Sequence, residues 1–169
     1  LMYNGLINKK NQVDNSFGGM DVQLKKRYDL IPNLISAVKT YMEHEADTLT
    51  EITELRTKAL TGGISDNEKV DLDNKITSHL SGIMVAVENY PDLKASDSFI
   101  QLQRSINEVE EQISASRRSY NAAVTDYNNG VEMFPTNLIA GMMSFKRKNV
   151  FEIPDVQREN VDVENLFNN

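Results

Sequence analysis

Residues 21–41 read DVQLKKRYDLIPNLISAVKTY, which combines helical periodicity with a proline near its centre. Leu24, Ile31, Leu34 and Val38 recur at spacings of three, four and seven residues, which places them on one face of an α-helix. Pro32 removes one backbone N–H group and its ring clashes with the preceding turn. Two structures are compatible with this stretch, a helix that begins here and a helix that continues through it.

In the first structure, Asp29 caps a new helix and Pro32 occupies its first turn, where proline is tolerated. In the second, one long helix is kinked at Pro32. The apolar phase is unbroken from Leu24 to Val38, whereas a loop usually resets the phase. We therefore favour a kinked, nearly continuous helix.

The apolar seam extends beyond this stretch with coiled-coil-like spacing, which predicts neighbouring helices along its length. Arg27 and Glu45 fall on the seam, either at its rim or as a polar pair inside a bundle. The helix is expected to end at Thr61, because Gly62 suits a helix C-terminus. The seam consists of Phe17, Met20, Leu24, Arg27 or Tyr28, Ile31, Leu34, Val38, Tyr41, Glu45, Leu49, Ile52, Leu55 and Ala59.

Two further long helices follow. Ser65 or Asp66 can cap the second helix, which runs to about Asn89 before Pro91 stops it. The third helix is expected to end at Pro135 and to span about 55 Å. Its seam comprises Phe99, Leu102, Ile106, Val109, Ile113, Ser116, Tyr120, Ala123, Tyr127, Gly130 and Phe134.

These elements predict an all-α fold, an antiparallel long-helix bundle of the four-helix type with a proline-kinked first helix. The two halves of the first helix count as separate members, since helix two is too short to cover all of it. Residues 137–145 are expected to form a short helix that caps the bundle, and residues 149–151 an extended segment. The helical domain comprises residues 1–151, and residues 152–169 form an extended or poorly ordered tail.

Composition excludes several classes of function. The 169 residues carry a formal net charge of −7 and contain no cysteine. The acidic balance argues against nucleic-acid binding, and the two short basic clusters at residues 25–27 and 146–148 are best explained as solvated surface. Without cysteine there are no disulfides, thiolate zinc sites or cysteine nucleophiles.

No catalytic motif is present. His44-Glu45-Ala46-Asp47-Thr48 lacks the second histidine of a zincin motif, and neither His44 nor His79 follows a glutamate at the spacing that di-iron bundles use. Residues 71–74 resemble a calcium loop only in part and are interpreted as a solvated helix start. We therefore predict a protein without enzymatic activity, metal or cofactor.

Some polar residues have no obvious structural role. The candidate interaction or structural cluster consists of Arg27, Asp29, Asn33, His44 and Glu45. The first three would either satisfy backbone groups freed at Pro32 or bind a partner. An alternative function is a small-molecule or metal-binding sensor, with Arg27, His44 and Glu45 lining an interior site.

Two Tyr-Asn pairs, Tyr120-Asn121 and Tyr127-Asn128, lie one heptad apart. They could form a recognition ladder of aromatic and amide groups. The alternative that we favour places the tyrosines in the seam and the asparagines beside it, because the tyrosines are in phase with the core.

The chain resembles the LemA family of bacterial proteins over nearly its whole length up to Phe151. The motifs that carry the resemblance, in order, are Tyr3-Asn4, DVQLKKR at 21–27, DLIPNL at 29–34, Val38-Lys39, Tyr41, His44-Glu45, YPDLKA at 90–95, Arg117, Tyr120-Asn121, Tyr127-Asn128 and Phe134-Pro135. This resemblance implies a helical bundle held at the cell membrane by a single transmembrane helix upstream of Leu1, with no established enzymatic activity or cofactor.

From these features we expect a membrane-tethered scaffold that binds another protein through its long helix faces. Lys9 and Lys10 would lie beside the bilayer, and positive charge next to a membrane span favours the cytoplasmic side. An extracytoplasmic domain remains the alternative.

Overall fold

The computed structural model describes residues 1–151, which form an all-α bundle as predicted. The predicted tail, residues 152–169, lies outside the described residues. The helices are α1 (Met2–Val38), α2 (Ala46–Leu60), α3 (Asp66–Val87), α4 (Pro91–Lys94), α5 (Asp97–Glu132) and α6 (Thr136–Met142), with a short 3-10 helix at Glu43–Glu45 before α2.

Helix α1 continues through Pro32 for 37 residues. The predicted continuity is confirmed, and Asp29 does not cap a new helix. Leu24, Ile31 and Leu34 are all buried, on the face that the apolar phase selected. At a rise of about 1.5 Å per residue, α1 extends for about 55 Å.

The prediction that this first helix runs on to Thr61 is wrong, because the chain bends between Val38 and Ala46. Met42 leaves helical geometry with φ −108° and ψ 49°, and it is buried whereas Tyr41 is exposed. The chain therefore folds back at this bend and not at Pro32.

Tertiary packing explains the bend. Arg56 contacts the backbone of Tyr28, so α2 returns alongside α1 from the turn that separates them. This return brings Leu49 and Ile52 into the core. A straight helix would carry both side chains past the end of the bundle into water, and burying them is worth about 1.5–3 kcal/mol each.

Helices α1 and α5 pack along each other in antiparallel orientation, and α2 packs against α3. Phe17 meets Tyr120 with ring centroids 5.6 Å apart, and Gly130 lies against Leu6 and Lys9. A β-carbon at position 130 would come within 3.1 Å of the Leu6 side chain, so this close approach requires glycine or a small shift.

Helix α3 begins with a capping box. The Glu68 N–H donates to Ser65 Oγ at 3.2 Å, and the Ser65 N–H donates to Glu68 Oε2 at 2.7 Å. The sequence offered Ser65 and Asp66 as caps, and the structure selects Ser65. This reciprocal pair fixes the start of the helix that supplies Asp73 to the core.

The bundle has two distinct ends. The α6 end comprises residues 1–10 and 130–148, where the start of α1, the end of α5 and helix α6 meet. The bend end comprises residues 39–54 and 88–97, which contain the α1–α2 turn, helix α4 and the start of α5. Because α5 is antiparallel to α1, its first residues lie at the same end as this turn, and α4 contacts α5 there.

Helix α5 ends at Glu132, three residues before Pro135, and Phe134 is 79% exposed. Its buried face includes Arg117 and Val124, while Ser116 and Ala123 are half-buried. A charged residue therefore occupies a core position on this helix.

Candidate functional site

Three charged residues from three helices converge in the core of the bundle. Arg27 of α1, Asp73 of α3 and Arg117 of α5 are each at most 4% exposed. Charged side chains are almost never fully buried unless they are paired. Their convergence makes this cluster, with Thr77 and Glu110, the buried charge network of the protein.

Asp73 lies between the two arginines. One of its carboxylate oxygens pairs with Arg27 Nη2, and the other accepts a hydrogen bond from Arg117 Nη2 at 3.1 Å. The Thr77 hydroxyl oxygen accepts from Arg27 Nη1 at 3.0 Å and from Arg117 Nη2 at 2.7 Å. Asp73 and Thr77, one helical turn apart on α3, thus bridge α1 and α5.

Glu110 completes the charge balance. Its carboxylate accepts from Arg27 Nη1 at 3.1 Å, and its side chain is 30% exposed. Burial lowers the pKa of both arginines, and the negative charge of Glu110 opposes that shift. An arginine keeps its proton in proteins. The two buried positive charges therefore face the buried Asp73 carboxylate and the partly exposed Glu110 carboxylate.

The network is not fully satisfied. Arg27 Nε and Arg117 Nε are buried without a hydrogen-bond partner among the described residues. A buried ion network of this kind often contributes less to stability than an apolar core of the same volume. The network suits fixing the register of α1, α3 and α5, because its ion pairs join a residue of each helix at one level of the bundle.

A cavity of about 310 Å³ lies between α3 and α5. Thr77 and Glu110, the outer members of the buried charge network, form part of its wall, and Leu80, Met84 and Ile106 supply apolar surface. The arrangement offers one carboxylate beside an apolar surface, which is suited to a small cationic group.

Pro32 leaves a second polar feature beside the network. In an α-helix the N–H of residue 32 would donate to the carbonyl of Tyr28, and proline has none. The Nε–H of Arg56 donates to that carbonyl at 2.7 Å instead. An arginine of α2 therefore replaces the missing hydrogen bond of α1, and it does so only because the chain folds back at the bend.

Replacing Arg56 with alanine is expected to destabilise the protein by about 1–3 kcal/mol, because it leaves the Tyr28 carbonyl without a donor. Urea denaturation would measure the change. Lys58→Ala, an exposed position on the same helix, is the matched control and should change stability by less than about 0.5 kcal/mol.

A double-mutant cycle with Pro32→Ala separates this role from general packing. Alanine at position 32 restores an N–H for the Tyr28 carbonyl, so the cost of Arg56→Ala should shrink in that background. An equal cost in both backgrounds would show that Arg56 does not substitute for the missing bond.

Two asparagines of α5 hold an extended segment of the chain, residues 146–151, which we call the strap. Asn128 donates to the Lys148 carbonyl at 3.0 Å and accepts from the Lys148 N–H at 2.9 Å. Asn121 forms the same pair with Phe151, at 2.9 and 2.8 Å. Each side-chain amide therefore binds a backbone as a neighbouring β-strand would.

Geometry explains the heptad spacing of the two asparagines. Seven helical residues advance about 10.5 Å, and three extended residues advance about 10 Å. Asn128 and Asn121 therefore match Lys148 and Phe151 in an antiparallel direction. The structure agrees with the favoured alternative, since both tyrosines are buried in the core. The asparagines beside them bind a backbone segment of the chain itself.

Phe151 closes the strap over the core. Its ring packs edge-on against Tyr120 with centroids 5.1 Å apart, and the Arg117 guanidinium lies 5.9 Å from its centroid. Burial raises the pKa of Tyr120 to about 12. The strap thus covers the end of the buried charge network that Arg117 forms.

The structure does not bring the predicted polar cluster together. Arg27 is in the core, whereas Asp29 and Asn33 are exposed on α1. His44 is exposed and Glu45 half-buried in the 3-10 helix at the bend end. The backbone group freed by Pro32 is satisfied by Arg56 and not by these residues. Within residues 1–151, no group of three or more His, Cys, Asp or Glu side chains could hold a metal ion.

Sequence reasoning missed Asp73 and Arg117. The stretch around Asp73 was interpreted as a solvated helix start, but Asp73 is fully buried. A signal was available, because Asp73 is spaced three residues from both Val70 and Ile76, and Arg117 lies between Ile113 and Tyr120 at spacings of four and three. Arg27, Asp73 and Arg117 each lie in phase with the apolar residues of their own helix. Because their charges have opposite signs, this pattern indicates a buried ion network.

The sequence matches one protein family and is similar to several known proteins. A family model described as the LemA family matches residues 16–165. The chain is 28% identical over 165 residues to Protein LemA of Metamycoplasma hominis, covering 98% of this chain and 75% of the relative.

Two magnetosome proteins are more distant relatives. Magnetosome protein MamQ 2 of Paramagnetospirillum magneticum is 22% identical over 177 residues, which covers 90% of this chain and 65% of the relative. Magnetosome protein MamQ of Magnetospirillum gryphiswaldense is 20% identical over 176 residues, with 89% and 65% covered. In this chain, none of the helices of residues 1–151 combines the length and the apolar character that crossing a membrane requires.

Proposed function

The chain belongs to the LemA family, and we propose that it is a membrane-tethered helical scaffold without enzymatic activity that binds another protein at its bend end. The tether is the single transmembrane helix upstream of Leu1 that the family resemblance implies. Lys9 and Lys10 at the α6 end favour a cytoplasmic domain by the positive-inside rule.

The observation that carries the partner-binding proposal is a groove of about 490 Å³ between α1 and α2 at the bend end. Ile35, Met42, Ala46 and Leu49 supply apolar wall. An open apolar groove between two helices is the kind of surface into which a partner helix lays its apolar face.

Charge narrows the class of partner. The groove wall also includes two acidic residues, Glu43 and Glu54, and one basic residue, Lys39. In the whole bend end, residues 39–54 and 88–97, eight residues are acidic and two are basic. We therefore propose an amphipathic helix whose apolar face is flanked by lysine or arginine.

The position of the groove also supports its assignment as the partner-binding site. The bend end lies at the opposite end of α1 from Leu1, about 55 Å away along the helix. A protein tethered through its N-terminus would hold the groove well away from the bilayer. The buried charge network and the strap join the helices of the intervening bundle to one another.

Photocrosslinking in native membranes tests the proposal with the full-length protein. A photoreactive residue at Thr50, in the groove wall, should crosslink to a partner segment with alternating apolar and basic character. The same probe at Val22, which is 54% exposed on α1, is the control and should not capture that segment.

A groove variant completes the test. Ile35→Lys places positive charge in the groove and should abolish the crosslink from position 50, whereas Val22→Lys should leave it intact. Capture of the same partner in both variants would overturn the assignment of the groove. Substrate turnover that depends on Glu110 would overturn the non-enzymatic proposal.

A small-molecule sensor is the second candidate function, and the cavity beside Thr77 and Glu110 favours it. The ligand would be a small organic cation paired with the Glu110 carboxylate. Screening such cations by thermal shift against the protein and Glu110→Gln tests this, since a shift lost in the variant supports it. No shift with either protein would eliminate it.

A further inference from the structure

The α6 end exposes a cluster of large apolar side chains. Phe134 is 79% exposed and Met142 is 85% exposed. Leu138 and Met142, four residues apart, share one face of α6, while Ala140 is buried against the bundle. The apolar cluster consists of Met133, Phe134, Leu138, Met142 and Met143.

These residues share one end of the molecule because α6 packs against both α1 and α5. Contiguous exposed apolar surface is uncommon on soluble proteins and marks a contact with a protein or a membrane. We therefore expect a protein or a membrane to cover this apolar cluster.

Charge at this end identifies the occupant. The α6 end contains five basic residues and one acidic residue, although the whole chain has 18 basic and 25 acidic residues. Arg147 is paired with Glu132 at 2.5 Å. Lys9 and Lys10 are paired with Asp126 and Asp14, which lie just outside these two ranges, so basic residues still outnumber acidic ones there when both aspartates are counted. The bend end has the opposite sign, so charge is polarised along the bundle.

From this combination we propose that the α6 end docks directly on an anionic lipid bilayer. The apolar cluster enters the interface between headgroups and acyl chains, as the apolar faces of interfacial helices do. Lysine and arginine at the rim attract anionic headgroups. The acidic bend end is repelled by the same surface, which orients the long axis of the bundle away from it.

This inference goes beyond the tether, because it assigns a second membrane contact within the bundle itself. It rests on the proposed membrane location, but its test does not need the transmembrane helix. Binding of the 169-residue chain to vesicles reports docking, whereas membrane fractionation of the full-length protein reports the tether. The two failures are therefore distinguishable.

Vesicle co-sedimentation is the decisive experiment. The chain should bind vesicles of equal parts phosphatidylglycerol and phosphatidylethanolamine, and bind phosphatidylcholine vesicles far more weakly. Binding should weaken as salt rises from about 0.1 to about 1 M, because the Debye length falls from about 10 to about 3 Å. Absence of binding to the anionic vesicles would overturn the proposal.

Matched variants locate the contact. Phe134→Ser with Met142→Ser removes two exposed side chains and should reduce vesicle affinity roughly a hundredfold, about tenfold for each side chain. Val85→Ser removes a side chain that is 72% exposed on α3 and should leave binding unchanged. Docking through α6 would be refuted if the double variant and Val85→Ser lost vesicle affinity equally, or if neither variant lost any.

Sedimentation velocity tests the other occupant, a second copy of the chain. A dimer that the Phe134 and Met142 substitutions abolish, together with no vesicle binding, would assign the cluster to self-association and overturn the lipid proposal. A monomer that binds anionic vesicles supports it.

Discussion

Replacing Asp73 with alanine is expected to destabilise the protein by about 3–5 kcal/mol, which is the usual effect of removing one partner from a buried ion pair. The substitution leaves Arg27 and Arg117, at 1% and 4% exposure, facing each other without the carboxylate between them. Because total stability is typically about 5–15 kcal/mol, the loss is large. Chemical denaturation followed by circular dichroism would measure it.

Asp71→Ala is the matched control, since Asp71 lies two residues away on α3 and is exposed. It should change stability by less than about 0.5 kcal/mol. A loss of under about 1 kcal/mol for Asp73→Ala would show that water reaches the network and that its charges are not isolated in the core.

Replacing the three buried charged residues with apolar ones tests separately whether the network stabilises the fold and whether it fixes the register of the helices. The triple variant Arg27→Met, Asp73→Leu and Arg117→Met should be much more stable than Asp73→Ala and about as stable as the original chain. If the network fixes helix register, the triple variant should also show broader amide resonances by NMR. Sharp native-like spectra would argue against that role.

Replacing Phe151 with alanine is expected to destabilise the protein by about 3 kcal/mol, at the lower end for a buried phenylalanine because the strap can relax. Phe151 is 1% exposed and packs against Tyr120. Its loss uncovers Tyr120 and Arg117 and weakens the closure of the strap over α5. Thermal unfolding would report the change.

Val150→Ala tests whether the effect is specific, because Val150 is the neighbouring strap residue and is 46% exposed. It should be nearly neutral. Amide hydrogen exchange adds a local readout, since the N–H groups of Lys148 and Phe151 donate to Asn128 and Asn121. Phe151→Ala should speed exchange at both positions, and unchanged exchange would show that the asparagines hold the strap alone.

The polarity of charge along the bundle connects the two proposals. The α6 end is basic and apolar, and the bend end is acidic with a groove for a basic helix. An anionic surface would attract one end and leave the other free for a protein. The part of the bundle between them, built on α1 and α5, keeps the two functions about 55 Å apart.

The sequence predicted the helical elements well where they depend on interactions between residues close together in the chain. The apolar phase across Pro32 predicted a continuous α1, because a helix keeps its register through a single missing hydrogen bond. The start of α3 was predicted at Ser65 or Asp66, and the capping box of Ser65 with Glu68 satisfies the backbone donors there within four residues. The end of α1 was mispredicted, because seam spacing persists across a bend that no proline or glycine marks.

The candidate site was predictable only in part. Arg27 was identified because it falls in phase with the seam, but its partners come from α3 and α5, and pairing across helices depends on their relative register. The role of Arg56 was not predictable from α2 alone, since the carbonyl that it satisfies lies 28 residues earlier.

The sequence by itself determined an all-α chain, a first helix that passes through Pro32 and tyrosines at core positions, because periodicity, propensity and capping act within a few residues. Tertiary structure alone decided the bend between Val38 and Ala46, the meeting of Asp73 with two arginines, and the strap on Asn121 and Asn128. Each of these joins residues that are far apart in the chain, and only the packing of whole helices fixes their distance and burial.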